Sequence, residues 1–250
     1  MLKEIVIAIQ AYRKAHIFIG KHRLWKWILI PGLFYMILFT VGLYFFWISA
    51  DTAVSHLFSG VEIWLHKQNA GWRFIVIMVG IMARLIMMFF YFSLFKYLFL
   101  IVGSPVFAYL SEKTESIMEG REFIFDSSVF FHDIRRGIKL AFRNCLWQTV
   151  YTIFILILSL IPIVGSIAPV ISGLVECYFY GFSMLDYSCE RHHLSPSASI
   201  HFISQRRGLA IGNGLVFYLM HFVPFVGWVL APSYALVAAT ISLYHQNIDS

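Results

Sequence analysis

The chain has 250 residues, of which 60% are hydrophobic and only 13% charged, and its mean hydropathy of +0.76 lies outside the range of water-soluble domains. Aromatic residues make up 18%, which suits lipid-facing helices with interfacial belts and excludes a disordered chain or a secreted disulfide scaffold. The net charge is +6, yet the basic residues sort by membrane side instead of gathering on one soluble face, so no nucleic-acid partner is expected. Cys145, Cys177 and Cys189 are odd in number, contain no Cys-x-x-Cys pair and fall in or beside apolar runs, which speaks against a disulfide framework.

Taken in chain order, residues 1–26 set apolar Ile5, Ile9 and Tyr12 against a basic group of Lys3, Arg13, Lys14, Lys21, Arg23 and Lys26. That pattern predicts a helix lying in the membrane interface, with a solvated cytoplasmic arm as the alternative. Residues 27–50 carry no charge and form the first expected span. The run begins too late and is too long for a cleaved signal peptide, so the N-terminus is expected to be retained. Residues 72–102 form a second, longer span interrupted by Arg84 and Lys96, expected to tilt. Residues 103–145 turn polar with apolar positions at helical spacing, which predicts surface helices. Lys and Arg number six before the first span, six in 103–145 and three in 186–207, against only Lys67 and Arg73 opposite. Both termini are therefore expected in the cytoplasm.

The second half contains a repeat. Ile161-Pro162-Ile163-Val164-Gly165, with Pro169 beyond it, recurs as Val223-Pro224-Phe225-Val226-Gly227, with Pro232 beyond it. Each copy joins two apolar runs through a short Pro-Gly turn, giving one hairpin over 146–187 and another over 208–245, with a cytoplasmic loop at 188–207. The leading arms are about 14–15 residues, or roughly 22 Å of helix, which falls short of a full crossing. Two half-penetrating hairpins are expected; four full spans with tight outer turns are the alternative, and the charge count does not separate them. Glu176 favours the first, because a turn at mid-depth returns it, about 16 Å along the helix, to the cytoplasmic interface. The expected fold is thus an all-α polytopic membrane protein, a single integral membrane domain over 1–250.

Arg84 falls about 18 Å past Trp72, near the bilayer centre, where an arginine needs a partner or water. It is the best single candidate for attracting an ion, with a packing arginine held by a neighbouring helix as the alternative. Lys96 is placed to snorkel to the inner headgroups. The second helix of each hairpin is expected to begin just after Gly165 or Gly227, where unpaired N–H groups and the positive dipole end attract anions; a plain chain-reversing turn is the alternative. His221 lies near the second turn and reads as a packing histidine, while Cys189, His192, His193 and His201 match no zinc spacing. Gly173, Cys177 and Gly181, like Gly208 and Gly212, repeat at every fourth position, the pattern of close helix packing and a candidate subunit contact. No nucleophile, metal or phosphate-loop motif occurs, so neither enzymatic activity, metal nor cofactor is expected.

The repeat IPIVGSIAPV, the following CYFYGFSMLDYSCERHHL with its Asp186-Tyr187, and VPFVGWVLAP resemble the CysZ family of bacterial sulfate permeases, which includes the etoposide-induced membrane proteins of eukaryotes. GSPVFAYLSEKTE and WILIPGLFYMIL are similar to further family segments, so the resemblance covers nearly the whole chain. It implies two long transmembrane helices, two half-penetrating hairpins, a homo-oligomer in a bacterial inner membrane, and uptake of sulfate for cysteine synthesis. In that family a sulfate site precedes the first membrane helix, in a Gly-apolar-Arg-Arg-like stretch. The matching positions are Arg23, Leu24, Trp25 and Lys26, with arginine in place of the glycine and charge left to Arg23 and Lys26. The expected function is a permease or channel for sulfate or a related small oxyanion. The competing expectation is a membrane scaffold whose basic cytoplasmic face binds anionic lipid or a partner protein.

Overall fold

A computed structural model describes residues 1–65, 70–122, 127–192 and 194–244. These residues form eight helices: α1 (Leu2–Lys21), α2 (Trp25–Leu65), α3 (Ala70–Glu119), α4 (Ser127–Leu158), α5 (Pro162–Arg191), α6 (Pro196–Gln205), α7 (Arg207–His221) and α8 (Val226–Tyr244). The protein is an all-helical polytopic membrane protein. Five segments are long and apolar enough to cross a bilayer, namely Trp25–Ala53, Phe74–Glu119, Ile134–Leu158, Gly165–Glu190 and Val226–Tyr244. α7, with 15 residues and a length of roughly 22 Å, is not among them.

Two of the helices run further than composition suggests. α3 continues through Gly103 and Pro105 to Glu119, where the polar turn of the sequence predicted a new surface helix. A proline removes the N–H that would bond the carbonyl four residues back. Here that carbonyl is Ile101 O, and the Ser104 hydroxyl donates to it at 2.9 Å, so the helix passes the proline with its acceptor satisfied. α4 likewise begins at Ser127 and runs unbroken into the first hairpin.

The chain divides into two compact units. The unit formed by 37–96 is an antiparallel pair made of the distal half of α2 and the proximal part of α3. Its seam is aromatic: Phe39 packs on Phe92 and Phe95, Phe46 stacks on Tyr91 at 4.8 Å, and the Tyr91 hydroxyl donates to the Phe39 carbonyl at 3.2 Å. The outer faces carry exposed Phe45, Trp47, Phe74, Ile77 and Met82. Contiguous apolar surface of this kind is stable against lipid tails and not against water.

The other unit, 1–36 with 97–250, is built around α7. α5 and α7 cross antiparallel with glycine on each side of the contact, Gly181 against the Ala210 carbonyl and Gly214 against the Cys177 carbonyl. On its other flank α7 meets α1, where Gly212 faces Ile5 and Ala8. The fourfold small-residue spacing is therefore consumed by packing within the chain at Cys177, Gly181, Gly208 and Gly212, while Gly173 faces open space. Polar ties fix the register. The Tyr12 hydroxyl donates to the Asn213 carbonyl at 2.8 Å, and Asn213 Nδ2 donates to the Ala235 carbonyl at 2.9 Å, linking α1, α7 and α8. Burial pushes the Tyr12 phenol well above its usual pKa, so it remains a donor. Glu4 accepts from the Gly208 N–H at 2.9 Å, placing a carboxylate on the positive end of α7. Tyr180 and Phe217 stack at 3.6 Å, a pair worth about 1 kcal/mol beyond its buried area.

Alanine at Gly181 or Gly214 should therefore cost about 1–3 kcal/mol through overpacking of the crossing. Gly173→Ala, on an open helix face, should be neutral or stabilising by up to about 1 kcal/mol. Thermal unfolding of the three purified variants in detergent checks both signs.

Candidate functional site

The α1–α2 junction holds the four positions matched to a sulfate site. α1 ends at Lys21, and the chain turns through His22 and Arg23 before α2 starts at Trp25. Arg23 has φ 54°, the left-handed conformation that glycine adopts without steric cost. Its N–H donates to the Gly20 carbonyl at 3.4 Å, and the Leu24 N–H closes the turn on the Ile19 carbonyl at 3.1 Å. Leu24 is buried and anchors the turn, while Arg23, Trp25 and Lys26 are exposed. The backbone shape that glycine would supply is thus retained with arginine in its place. Of the N–H groups that open α2, that of Trp27 donates to the Leu24 carbonyl at 3.0 Å, and Arg23 and Lys26 add two cations beside this helix end.

The hairpin turns have a different character. α5 begins at Pro162 and α8 at Val226, earlier than the expected starts after Gly165 and Gly227. Both glycine N–H groups already donate, Gly165 to the Ile161 carbonyl at 2.7 Å and Gly227 to the Val223 carbonyl at 2.9 Å. A Cβ at Gly165 would stand 2.6 Å from the Ser159 carbonyl oxygen, and one at Gly227 would strike that of Met220. Each glycine admits the carbonyl that ends the preceding helix, which is the geometry of a chain-reversing turn. Phe225, inside the second turn, also has positive φ, at 60°.

Arg84 donates to Asp51 Oδ1 at 2.9 Å, across the α2–α3 pair. The two line a cavity of about 220 Å³ whose other walls include Phe46, Trp47, Ile81 and Met88. A lipid-facing arginine is thereby neutralised locally by a carboxylate from the neighbouring helix, a partner the sequence reading did not name. Lys96 is buried and does not snorkel.

Three polar features were not assembled by sequence reasoning. Glu176, expected at the interface, is buried; Gln148 Nε2 and the Tyr218 hydroxyl, at 2.9 Å, donate to its two oxygens, and Tyr97 donates to Gln148. This chain joins α3, α4, α5 and α7. Arg136 of α4 pairs with Asp186 at 3.2 Å and with Glu190 at 3.6 Å, and also donates to the Leu194 carbonyl, while the Ser199 hydroxyl donates to Asp186. His192 meets Glu115 at 3.0 Å. His221 packs against Phe217 and shares a hydrogen bond of 2.7 Å with the Tyr35 hydroxyl, the packing role expected for it. Among the described residues no group of three or more His, Cys, Asp or Glu is arranged to hold a metal; His193 lies outside them.

If the Arg84–Asp51 pair is what keeps both charges in lipid, Arg84→Gln alone should destabilise by about 3 kcal/mol. Adding Asp51→Asn should restore most of that loss. A double-mutant cycle on thermal unfolding in lipid nanodiscs measures the coupling.

Residues 11–232 match the family described as sulfate transporter CysZ/etoposide-induced protein 2.4. A protein of Pseudomonas aeruginosa named sulfate transporter CysZ is 26% identical over 224 residues, covering 86% of this chain and 89% of its own length. A protein of the same name from Pseudomonas fluorescens is 27% identical over 143 residues, covering 56% of this chain and 57% of its own length. With four of its five membrane-length segments wholly inside the matched range, the chain belongs to the sulfate transporter CysZ/etoposide-induced protein 2.4 family.

Proposed function

We propose that the protein is a permease for sulfate or a related small oxyanion in a bacterial inner membrane, with both termini cytoplasmic, serving sulfur assimilation. The observation that carries this reading is the family match over 11–232, together with relatives of similar length that bear the transporter name. Conduction of an oxyanion requires donors that replace its water and still release it. The α1–α2 junction supports that role: it combines an N-terminal helix end with Arg23 and Lys26, both exposed and neither paired to a carboxylate among the described residues. Lysine and arginine there attract the ion, and the N–H dipoles orient it. Arg84, already engaged by Asp51, is read as a structural pair, and Gly165 and Gly227 as turn residues.

Labelled sulfate should enter proteoliposomes faster than empty liposomes, and Arg23→Gln with Lys26→Gln should slow entry by about tenfold. Lys3→Gln with Lys14→Gln, an equal charge change placed on α1, should leave it unaltered. Flux equal to empty liposomes from folded protein overturns the permease reading in favour of a scaffold.

The half-penetrating arrangement is part of the same proposal. Its support is the composition of the hairpin tips, where Leu160 is 81% exposed and Phe222 82%, flanked by exposed Ile161, Val223 and Phe225. Water would penalise such tips at about 25 cal/mol per Å² of apolar surface. Cysteines at Leu160 and Phe222, in a background lacking Cys145, Cys177 and Cys189, should resist membrane-impermeant thiol reagents added outside. Rapid labelling of both indicates full spans.

A further inference from the structure

A groove of about 480 Å³ opens between α4, α5, α6 and α7, apart from the α1–α2 junction. Trp147 and Tyr151 of α4 and Ile171 and Leu174 of α5 line its apolar part, and each is between 42% and 50% exposed. Its cations are Arg143 of α4 and Arg207 of α7.

The two arginines lie at the same end. Asn144 Nδ2 donates to the Ser183 hydroxyl at 3.3 Å, which sets Arg143 level with the 182–183 stretch of α5. Gly181 meets Ala210, so the start of α7, with Arg207, reaches the same level. From there α5 runs back about 11 residues to Ile171, roughly 16 Å of apolar wall. The groove is therefore polar at one end and oily along the rest.

Both guanidiniums retain donors. Arg143 spends one Nη group on the Asn144 side chain at 3.1 Å, and Arg207 spends its Nε on the Ser204 carbonyl at 2.9 Å. Among the described residues neither forms an ion pair. A phosphodiester placed between them would take charge-assisted hydrogen bonds from both, and an acyl chain would cover Trp147, Ile171 and Leu174. A second copy of this chain is a poor occupant of the polar end, because its net charge is also +6.

We propose that this groove is a binding site for one anionic phospholipid, with the headgroup phosphate held by Arg143 and Arg207 and an acyl chain lying along α4 and α5. The site is independent of the transport reading, since occupancy is measured without any gradient or permeant ion.

The test is native mass spectrometry of the full chain released from mixed micelles containing equal phosphatidylglycerol and phosphatidylcholine. The parent protein should retain phosphatidylglycerol about tenfold over phosphatidylcholine. The Arg143→Gln, Arg207→Gln double variant should lose that preference while keeping its elution volume and helicity. Leu174→Trp, which fills the apolar wall and leaves both arginines, should lower retention of the lipid as well. Equal retention of the two lipids by the parent protein overturns the proposal without reference to any variant. Displacement of phosphatidylglycerol by glycerol 3-phosphate would mean a free-phosphate site, and efficient disulfide cross-linking of Leu174→Cys between copies in vesicles would mean a subunit interface; either also overturns it.

Discussion

The larger unit depends on how closely α7 approaches its neighbours. A 15-residue helix has little side-chain area with which to hold five other elements. Backbone contact makes up for this, because lipid tails are as apolar as leucine and give helices no hydrophobic reason to associate. Glycine at 181 and 214 lets α5 and α7 approach until carbonyls touch α-carbons, and Gly212 repeats the device toward α1. Asn213, between two glycines, then ties α1 to α8 through its own carbonyl and amide. Packing of this kind is short-ranged, so every side chain added at the crossing is felt.

Around that crossing the polar groups fall into two separate ties. Glu176 gathers Gln148 and Tyr218, while Asp186 and Glu190 gather Arg136. Both connect α4 to α5, one near the middle of the helix pair and one toward its end. Removing a single partner from such a group leaves a buried acceptor or charge behind, which costs more than the bond itself contributes. Their effect is on register: two helices with smooth apolar faces could slide, and polar pairs at two levels prevent it.

Much of this architecture was legible in the sequence. The apolar runs, the Pro-Gly repeat and the four-residue glycine spacing are local patterns, and they gave the helices, the hairpins and the close packing. What the sequence could not reveal were pairings between distant positions. Asp51 and Arg84 lie 33 residues apart, and nothing local in either marks the other. Gln148 and Glu176 meet only because the first hairpin folds at Ile161. The continuous helix through Pro105 was hidden for a related reason, since proline and glycine signal a break unless a neighbouring hydroxyl takes over the lost bond. Here Ser104 does so.

The turn at Arg23 bears on how the charge at the start of α2 can change over time. Its shape is set by neighbours, through the Gly20 and Ile19 carbonyls and the buried Leu24, and the residue in the turn adopts whatever backbone they impose. Glycine and arginine codons are one nucleotide apart, so a positive charge can be gained or lost at this point in a single mutational step without redesigning the fold. The cost is about 1–2 kcal/mol of left-handed strain, small enough for a stable membrane bundle to absorb. Backbone form and charge at the start of α2 are thus separable traits, and the charge can change there while the scaffold stays as it is.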